Sequence, residues 1–324
     1  MISKSTSLSR IQRCRVARVL SGCIGLWTLF ATSLPAQSQQ EYILSTPPWK
    51  SPQESRAIYE PIAQYLSTVL GFTITYHRPD NWLSYRDALH NDSYDIVFDD
   101  PHFVSYRIEH YGHIPLVKIP GEVIFAVLGR KNDQEITEYR DLAGRTLCGQ
   151  GPPHLGTLRF LQRFENPLRQ PILLPTSGWR ESYAAALDGR CHAGIVPMEA
   201  LARIDKHQVR VLYLTDGTPG PAFTAGRRVS EFVREQIVAA LTTWEARQPT
   251  RQMRAQYDAN SYAIADAEEY QGLHEMLDSV WGRPGPILEL GMGTNMSHSL
   301  ALHGLAGIGI QFPSDSSDSK LAYR

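Results

Sequence analysis

From Glu41 onward the chain alternates short apolar runs with amphipathic helical patterns, and after about residue 130 the alternation starts again. Strand–helix–strand units with short loops build a mainly parallel sheet covered by helices on both faces, so this doubling predicts two α/β lobes. Residues 42–44 read as a strand that ends at Pro47-Pro48-Trp49. Residues 55–70 read as a helix, because Ile58, Ile62, Tyr65, Leu66 and Val69 recur at three-to-four spacing before Gly71. Strands at 72–76 and 94–98 alternate with helices at 82–89 and from Pro101 to about 111. Residues 117–129 suit strands leaving this unit. The second run predicts strands at 145–148, 172–174, 192–196 and 209–214, with helices at 156–164, 181–187 and 197–204. A turn-rich joint at 215–221 then leads to a strand at 222–225 and helices near 231–244 and 265–281. A unit inserted in this way gives crossovers near 121–130 and 216–224 and a hinge between them. One lobe is then 37–128 plus 217–282, and the other is 129–216. Residues 283–324, rich in Gly, Ser and Pro, read as a loosely ordered tail.

The first 36 residues assign the compartment. Lys4, Arg10, Arg13, Arg15 and Arg18 form a basic region without an acidic residue, an apolar stretch runs from 19 to 34, and Pro35-Ala36 supplies a small-residue cleavage signal. That order is a secretory signal peptide, and its apolar run is too short and interrupted for a good membrane span. Leu20-Ser21-Gly22-Cys23 also matches the pattern before a lipidated cysteine. However, Arg18 lies where that run would begin, and most of the apolar stretch follows Cys23. A mature protein soluble outside the cytoplasm is therefore the expectation.

Loss of residues 1–36 removes five of the 32 basic residues and none of the 33 acidic ones, leaving a net charge of −6. That balance argues against a nucleic-acid or anionic-membrane binder. Cys14 and Cys23 leave with the signal, so Cys148 and Cys191 remain. Both fall at strand-like segments of the same lobe, and either a disulfide or two buried thiols would suit an oxidising compartment. No HExxH, GxSxG, Walker loop or convincing GxGxxG is present, so an enzyme is not expected, and no cofactor is implied.

Four segments in order resemble the phosphonate/phosphite-type periplasmic binding proteins of ABC importers: YEPIAQYLSTVLG at 59–71, YDIVFDDPHFVSYR at 94–107, YRDLAGRTLCGQGPPHLGTLRFL at 139–161 and YAAALDGRCHAGIVP at 183–197. The resemblance covers residues 41–246. It implies a type II periplasmic binding protein, an α/β fold of two lobes that closes a cleft on a small anion and works, as a monomer, with an importer permease. The same module also serves as a ligand sensor in signalling systems, and a periplasmic metal-binding protein is a further alternative.

Ligands of doubly wound sheets bind beyond the carboxyl ends of strands, at helix N-termini that favour anions. Here that singles out the loops 47–50, 99–103, 150–157 and 176–180. Gly151, Gly156 and Thr157 suit close backbone approach to an anion. Pro152, Pro153, His154 and Leu155 stand where the family usually carries hydroxyl residues, which departs from a tight phosphoryl cradle. Trp179 also stands where family members often have His, and His192 where they often have an acidic residue. Trp49, Phe103, Trp179 and Tyr183 are expected to give an aromatic lining. His102, His154 and Arg180 supply donors, with Arg180 the charge partner of an organic anion. Asp99 and Asp100 pull toward a cationic group or orient other side chains. Plainer roles compete: Trp179 and Tyr183 also suit helix packing, Asp100 a helix cap, and His102 and His154 ordinary loop contacts. His102, His154 and the two aspartates match no standard metal spacing, and Met292, Met296, His298 and His303 are treated as chance neighbours in the tail.

Overall fold

The computed structural model describes residues 41–283. The signal segment with Cys14 and Cys23, the tail from 284 and its methionines and histidines therefore lie outside the described residues. The strands are β1 (Glu41–Ser45), β2 (Thr73–His77), β3 (Ile96–Asp99), β4 (Ile114–Lys118), β5 (Glu122–Val123), β6 (Phe125–Arg130), β7 (Thr146–Gly149), β8 (Ile172–Pro175), β9 (Ala193–Pro197), β10 (Val209–Leu214), β11 (Thr218–Pro219), β12 (Ala222–Ala225) and β13 (Ala263–Ile264). The helices are α1 (Pro52–Leu70), α2 (Trp82–His90), α3 (Pro101–Tyr111), α4 (Leu155–Leu161), α5 (Trp179–Leu187), α6 (Glu231–Thr242), α7 (Arg251–Arg254) and α8 (Glu275–Trp281).

Two main sheets result. The first has the order β13-β4-β12-β3-β1-β2 and the second β10-β6-β9-β7-β8. In the first, β1 pairs parallel with β2 and β3, whereas β12 runs antiparallel to β3 and β4. In the second, β7 pairs parallel with β8 and β9, and only β6 opposes its neighbours. Of the antiparallel strands, β6 and β12 carry the chain between sheets, and β13 adds to β4 at the edge of the first. The two crossovers also pair with each other, as a ribbon of β5 and β11. All of β6 belongs to the second sheet, so the expected lobe boundary at 128/129 falls inside a strand. Both sheets lie in one compact unit ending at Gly282.

Local chemistry explains the helix at the start of the first lobe. Ser51 and Glu54 form a reciprocal capping box, Pro52 sits in the first turn, and Gly71 ends α1 with φ 74°. Ile58, Ile62 and Leu66 are buried against the first sheet, but Val69, the last residue of the expected stripe, is half exposed. One core cluster belongs to the first sheet and its helices α1 and α6. A second joins Val97 and Phe103 of the first lobe to Phe125, Leu147 and Leu158 of the second. Apolar burial thus holds the lobes against each other along one side of the cleft.

Two expected helices are shorter. The pattern at 197–204 yields only a 3-10 turn at Met198–Ala202. The pattern at 265–281 splits into a 3-10 turn at Ala267–Tyr270 and α8, because Gly272 adopts φ 78° between them. No helix of the described residues is long and apolar enough to cross a membrane.

Candidate functional site

The loops after β1, β3 and β7 converge between the lobes, as the rule for open α/β sheets requires. They enclose a cavity of about 280 Å³ lined by residues that include Trp49, Lys50, Tyr59, Asp100, His154 and Tyr257. A larger neighbouring space of about 500 Å³ runs past the crossovers, with Phe125, Leu155 and Trp179 in its wall. Asp100, His154, Gln256 and Tyr257 line both, so the two compartments are contiguous.

Aromatic rings build the smaller compartment. Trp49 packs edge-on against Trp82, 4.3 Å between ring centroids, and against the His154 ring at 5.8 Å. Tyr59 stacks on Tyr76 at 5.4 Å and neighbours Phe98, which meets Tyr257 edge-on at 6.1 Å. Burial pushes the Tyr59 phenol well above the ordinary range, and the Tyr257 phenol shifts the same way through desolvation of its cavity end and the Asp100 charge, although the residue as a whole is over a third exposed. One buried nitrogen here, His154 Nδ1, lacks a hydrogen-bond partner, whereas the Trp49 indole N–H is directed at the Asp100 carboxyl. An unpaired buried polar atom is destabilising, so it marks where a ligand or water completes the bonding.

The two aspartates at the end of β3 have opposite environments. Asp99 is fully buried; Arg107 Nε donates to its Oδ2 at 2.6 Å and the Tyr85 hydroxyl bonds its other oxygen, so its charge is compensated inside the protein. Asp100 is partly exposed on the cavity wall. Burial pushes its carboxyl up to about 7 and the Asp99 charge adds to this, while the nearby Trp49 indole opposes it. Near neutral pH this carboxyl can therefore accept a hydrogen bond when ionised or donate one when protonated. Its side chain does not cap α3, so the capping role is not the one it takes.

The remaining expected residues divide into two groups. Trp49, Asp100 and His154 line the cleft, and Trp179 lines its larger compartment. Gly151 has open space around it in the same loop. The others are held elsewhere. His102 is fully buried, and its Nε2 donates across the lobes to the Pro153 carbonyl at 2.8 Å. Burial depresses its pKa to about 3, so it is a neutral lobe-joining residue and not a cationic donor. Phe103 is fully buried between Trp82 and Trp281. Thr157 is buried and its hydroxyl donates to the Gln150 carbonyl at 2.6 Å, which shapes the loop from behind. Gly156 is required by packing: a Cβ there would stand 2.5 Å from the Phe125 ring. Arg180 is exposed with its guanidinium over the Trp179 ring, 4.6 Å from the centroid, and lines neither compartment. Tyr183 packs with Trp179 against Ala126, Leu128 and Val196, on the helix-packing side of the two roles considered for it.

His154 is also neutral, its pKa lowered to about 4 by burial. His192 is occupied with Thr146, Nδ1 to Oγ1 2.7 Å. Cys148 and Cys191 are disulfide-bonded with Cα atoms 5.7 Å apart, which ties the end of β7 and its loop to the segment before β9. Among the described residues no group of three or more His, Cys, Asp or Glu is placed to hold a metal.

Sequence reasoning missed Tyr59, Lys50 and Tyr257. Lys50 ends the loop already singled out after β1. Tyr59 sits near the α1 N-terminus, which the topology points at the strand ends. Tyr257 lies between elements, in a short 3-10 turn before Asp258 at φ 52°, and carried no periodic signal.

Comparison with known proteins agrees with this architecture. No curated protein sequence matches the chain. Among solved structures, a binding protein component of an ABC phosphonate transporter from Pseudomonas aeruginosa is similar, with 13% identity, a TM-score of 0.56, and 74% of this chain and 86% of that one covered. A Prochlorococcus marinus protein in complex with methylphosphonate gives 12% identity, a TM-score of 0.58, and coverages of 75% and 99%. A Xanthomonas citri protein bound to ATP gives 13%, 0.61, and 75% and 98%. At such identities the likeness shows the type II periplasmic binding protein fold. Residues 44–270 match the family described as ABC transporter, phosphonate, periplasmic substrate-binding protein, and the chain belongs to that family of solute-binding transport components.

Proposed function

We propose that the mature chain, residues 37–324, is an exported monomeric binding protein that captures a small organic anion for an importer permease. The observation that carries this reading is the cavity at the strand ends, toward which donors converge around a carboxyl near neutrality. The Trp49 indole N–H faces Asp100, the Lys50 ammonium belongs to the same wall, and the Tyr59 and Tyr257 phenols are held protonated. Hydrogen bonds from such donors to a charged oxygen are the strong ones, and a site closed to water strengthens them. Asp100 opposes an anion only while ionised. With its carboxyl raised to about 7, it takes up a proton when an anion enters and becomes a donor. The charge partner expected at Arg180 is replaced in this reading by Lys50 and the neutral donors.

The two lobes would close by rotation about the paired crossovers β5 and β11, a hinge mechanism that desolvates the ligand. Thermal unfolding of residues 37–324 against phosphonates, sulfonates, carboxylates, inorganic oxyanions and transition metals tests the reading. A ligand binding only the folded state adds about 2.7 kcal/mol at a hundred times its dissociation constant. A midpoint rise with one anion class that Trp49→Ala abolishes supports the reading, whereas a rise with metals or cationic amines alone refutes it.

A further inference from the structure

We propose that the cleft selects a two-part ligand, an oxyanion head in the smaller compartment joined to a chiefly apolar, non-anionic organic tail in the larger one. This rests on the anion reading above and names the substrate class more closely.

Three observations carry it. The compartments are contiguous through Asp100, His154, Gln256 and Tyr257. Together they reach the size of pockets that enclose small organic molecules, roughly 300–1,000 Å³. The wall of the larger space is mostly apolar, with Val123, Phe125, Leu155 and Trp179 offering ring and aliphatic surface. Its charged groups are Glu122, Glu199 and Asp258, with the titrating Asp100 at the junction, against the single cation Arg203, a balance that repels a second anionic group.

His154 stands at the junction. Its ring meets Trp49 of one compartment edge-on at 5.8 Å and Phe125 of the other at 5.1 Å. Its neutral imidazole keeps a buried Nδ1 without a partner, which suits a polar atom linking head to tail. Trp179 thus acquires a ligand role at a distance from the anion, and the Arg180 guanidinium over its ring orients it.

Calorimetry on residues 37–324 tests the inference with ligands that share one head: methylphosphonate, pentylphosphonate, phenylphosphonate and a carboxyalkylphosphonate. A tail burying about 60 Å² of apolar surface corresponds to at least tenfold tighter binding than methylphosphonate. Glu199→Trp, at an exposed position that narrows the larger space, should bring that ratio toward one, as should Trp179→Ala. Equal affinity for the methyl and the longer ligands overturns the inference and leaves the head reading standing. Tightest binding of the carboxyalkyl compound overturns the assigned tail charge. Failure of every phosphonate to bind, while other anions do, limits the loss to this head chemistry and overturns the two-part assignment. Failure of all anions overturns both readings.

Discussion

Replacing Asp100 by Asn tests the electrostatics of the site directly. In the folded chain burial and the neighbouring Asp99 charge raise the Asp100 carboxyl from 3.8 to about 7. At about 1.36 kcal/mol per tenfold change in the proton equilibrium, the full shift disfavours the ionised form by about 4 kcal/mol. The cavity side of the group is partly open to water, so about 2 kcal/mol is the expected effect on stability. The sign follows from linkage. Between pH 4 and 7 the unfolded chain has released this proton and the folded chain still holds it, so the Asp100 contribution to stability falls as pH rises and is fully lost above pH 7. Asp100→Asn removes that penalty. Its stability advantage should be near zero at pH 4, grow through pH 6 and level off near 2 kcal/mol by pH 8. That is about 4–8 °C in the unfolding midpoint for a chain of this size. Urea unfolding at pH 4.5, 6 and 8 measures it, and the difference between variant and parent cancels the other titrating groups. Anion affinity of the parent should weaken as pH rises through 7, and this dependence should vanish in the variant. An advantage independent of pH, or a variant less stable at pH 8, would refute the assignment of Asp100 as a carboxyl held near neutrality.

Arg107→Ala leaves the fully buried Asp99 carboxylate without its partner and should destabilise by about 3–5 kcal/mol in urea unfolding, with Arg107→Lys recovering part of the loss. Gly156→Ala drives a methyl into the Phe125 ring and should lower stability by about 1–3 kcal/mol, and Phe125→Leu in the same chain should relieve part of it. Reduction of Cys148–Cys191, a bridge across 43 positions, should destabilise by about 2–4 kcal/mol, read as a lower thermal midpoint in dithiothreitol that Cys148→Ala reproduces without it.

The strand and helix order was legible because each period has a physical cause. The three-to-four spacing of Ile58, Ile62 and Leu66 requires one buried helix face, and Gly71 supplies the left-handed stop. The restart of the pattern after residue 130 set the two-sheet architecture, and the strand-end rule located three of the loops that meet at the cleft. Side-chain direction was not legible. Asp99 and Asp100 are adjacent and alike in sequence, yet Asp99 ends β3 and turns to Arg107 inside the core, while Asp100 stands where the chain leaves the strand for α3 and meets the cavity. His102 and His154 looked equivalent as donors, but burial makes both neutral and only His154 reaches the cleft.

By itself the sequence determined the local elements, the repeated α/β unit and the loops where a ligand can approach helix ends, since these depend on residue spacing and backbone preference along the chain. Only the tertiary structure decided which groups share one low-dielectric space. It brought Tyr257 to Asp100 from far along the chain, set Arg180 aside over the Trp179 ring, and joined the lobes through His102 and Pro153. Such meetings depend on how two sheets pack across a crossover, and desolvation then sets the charge of each group that meets there.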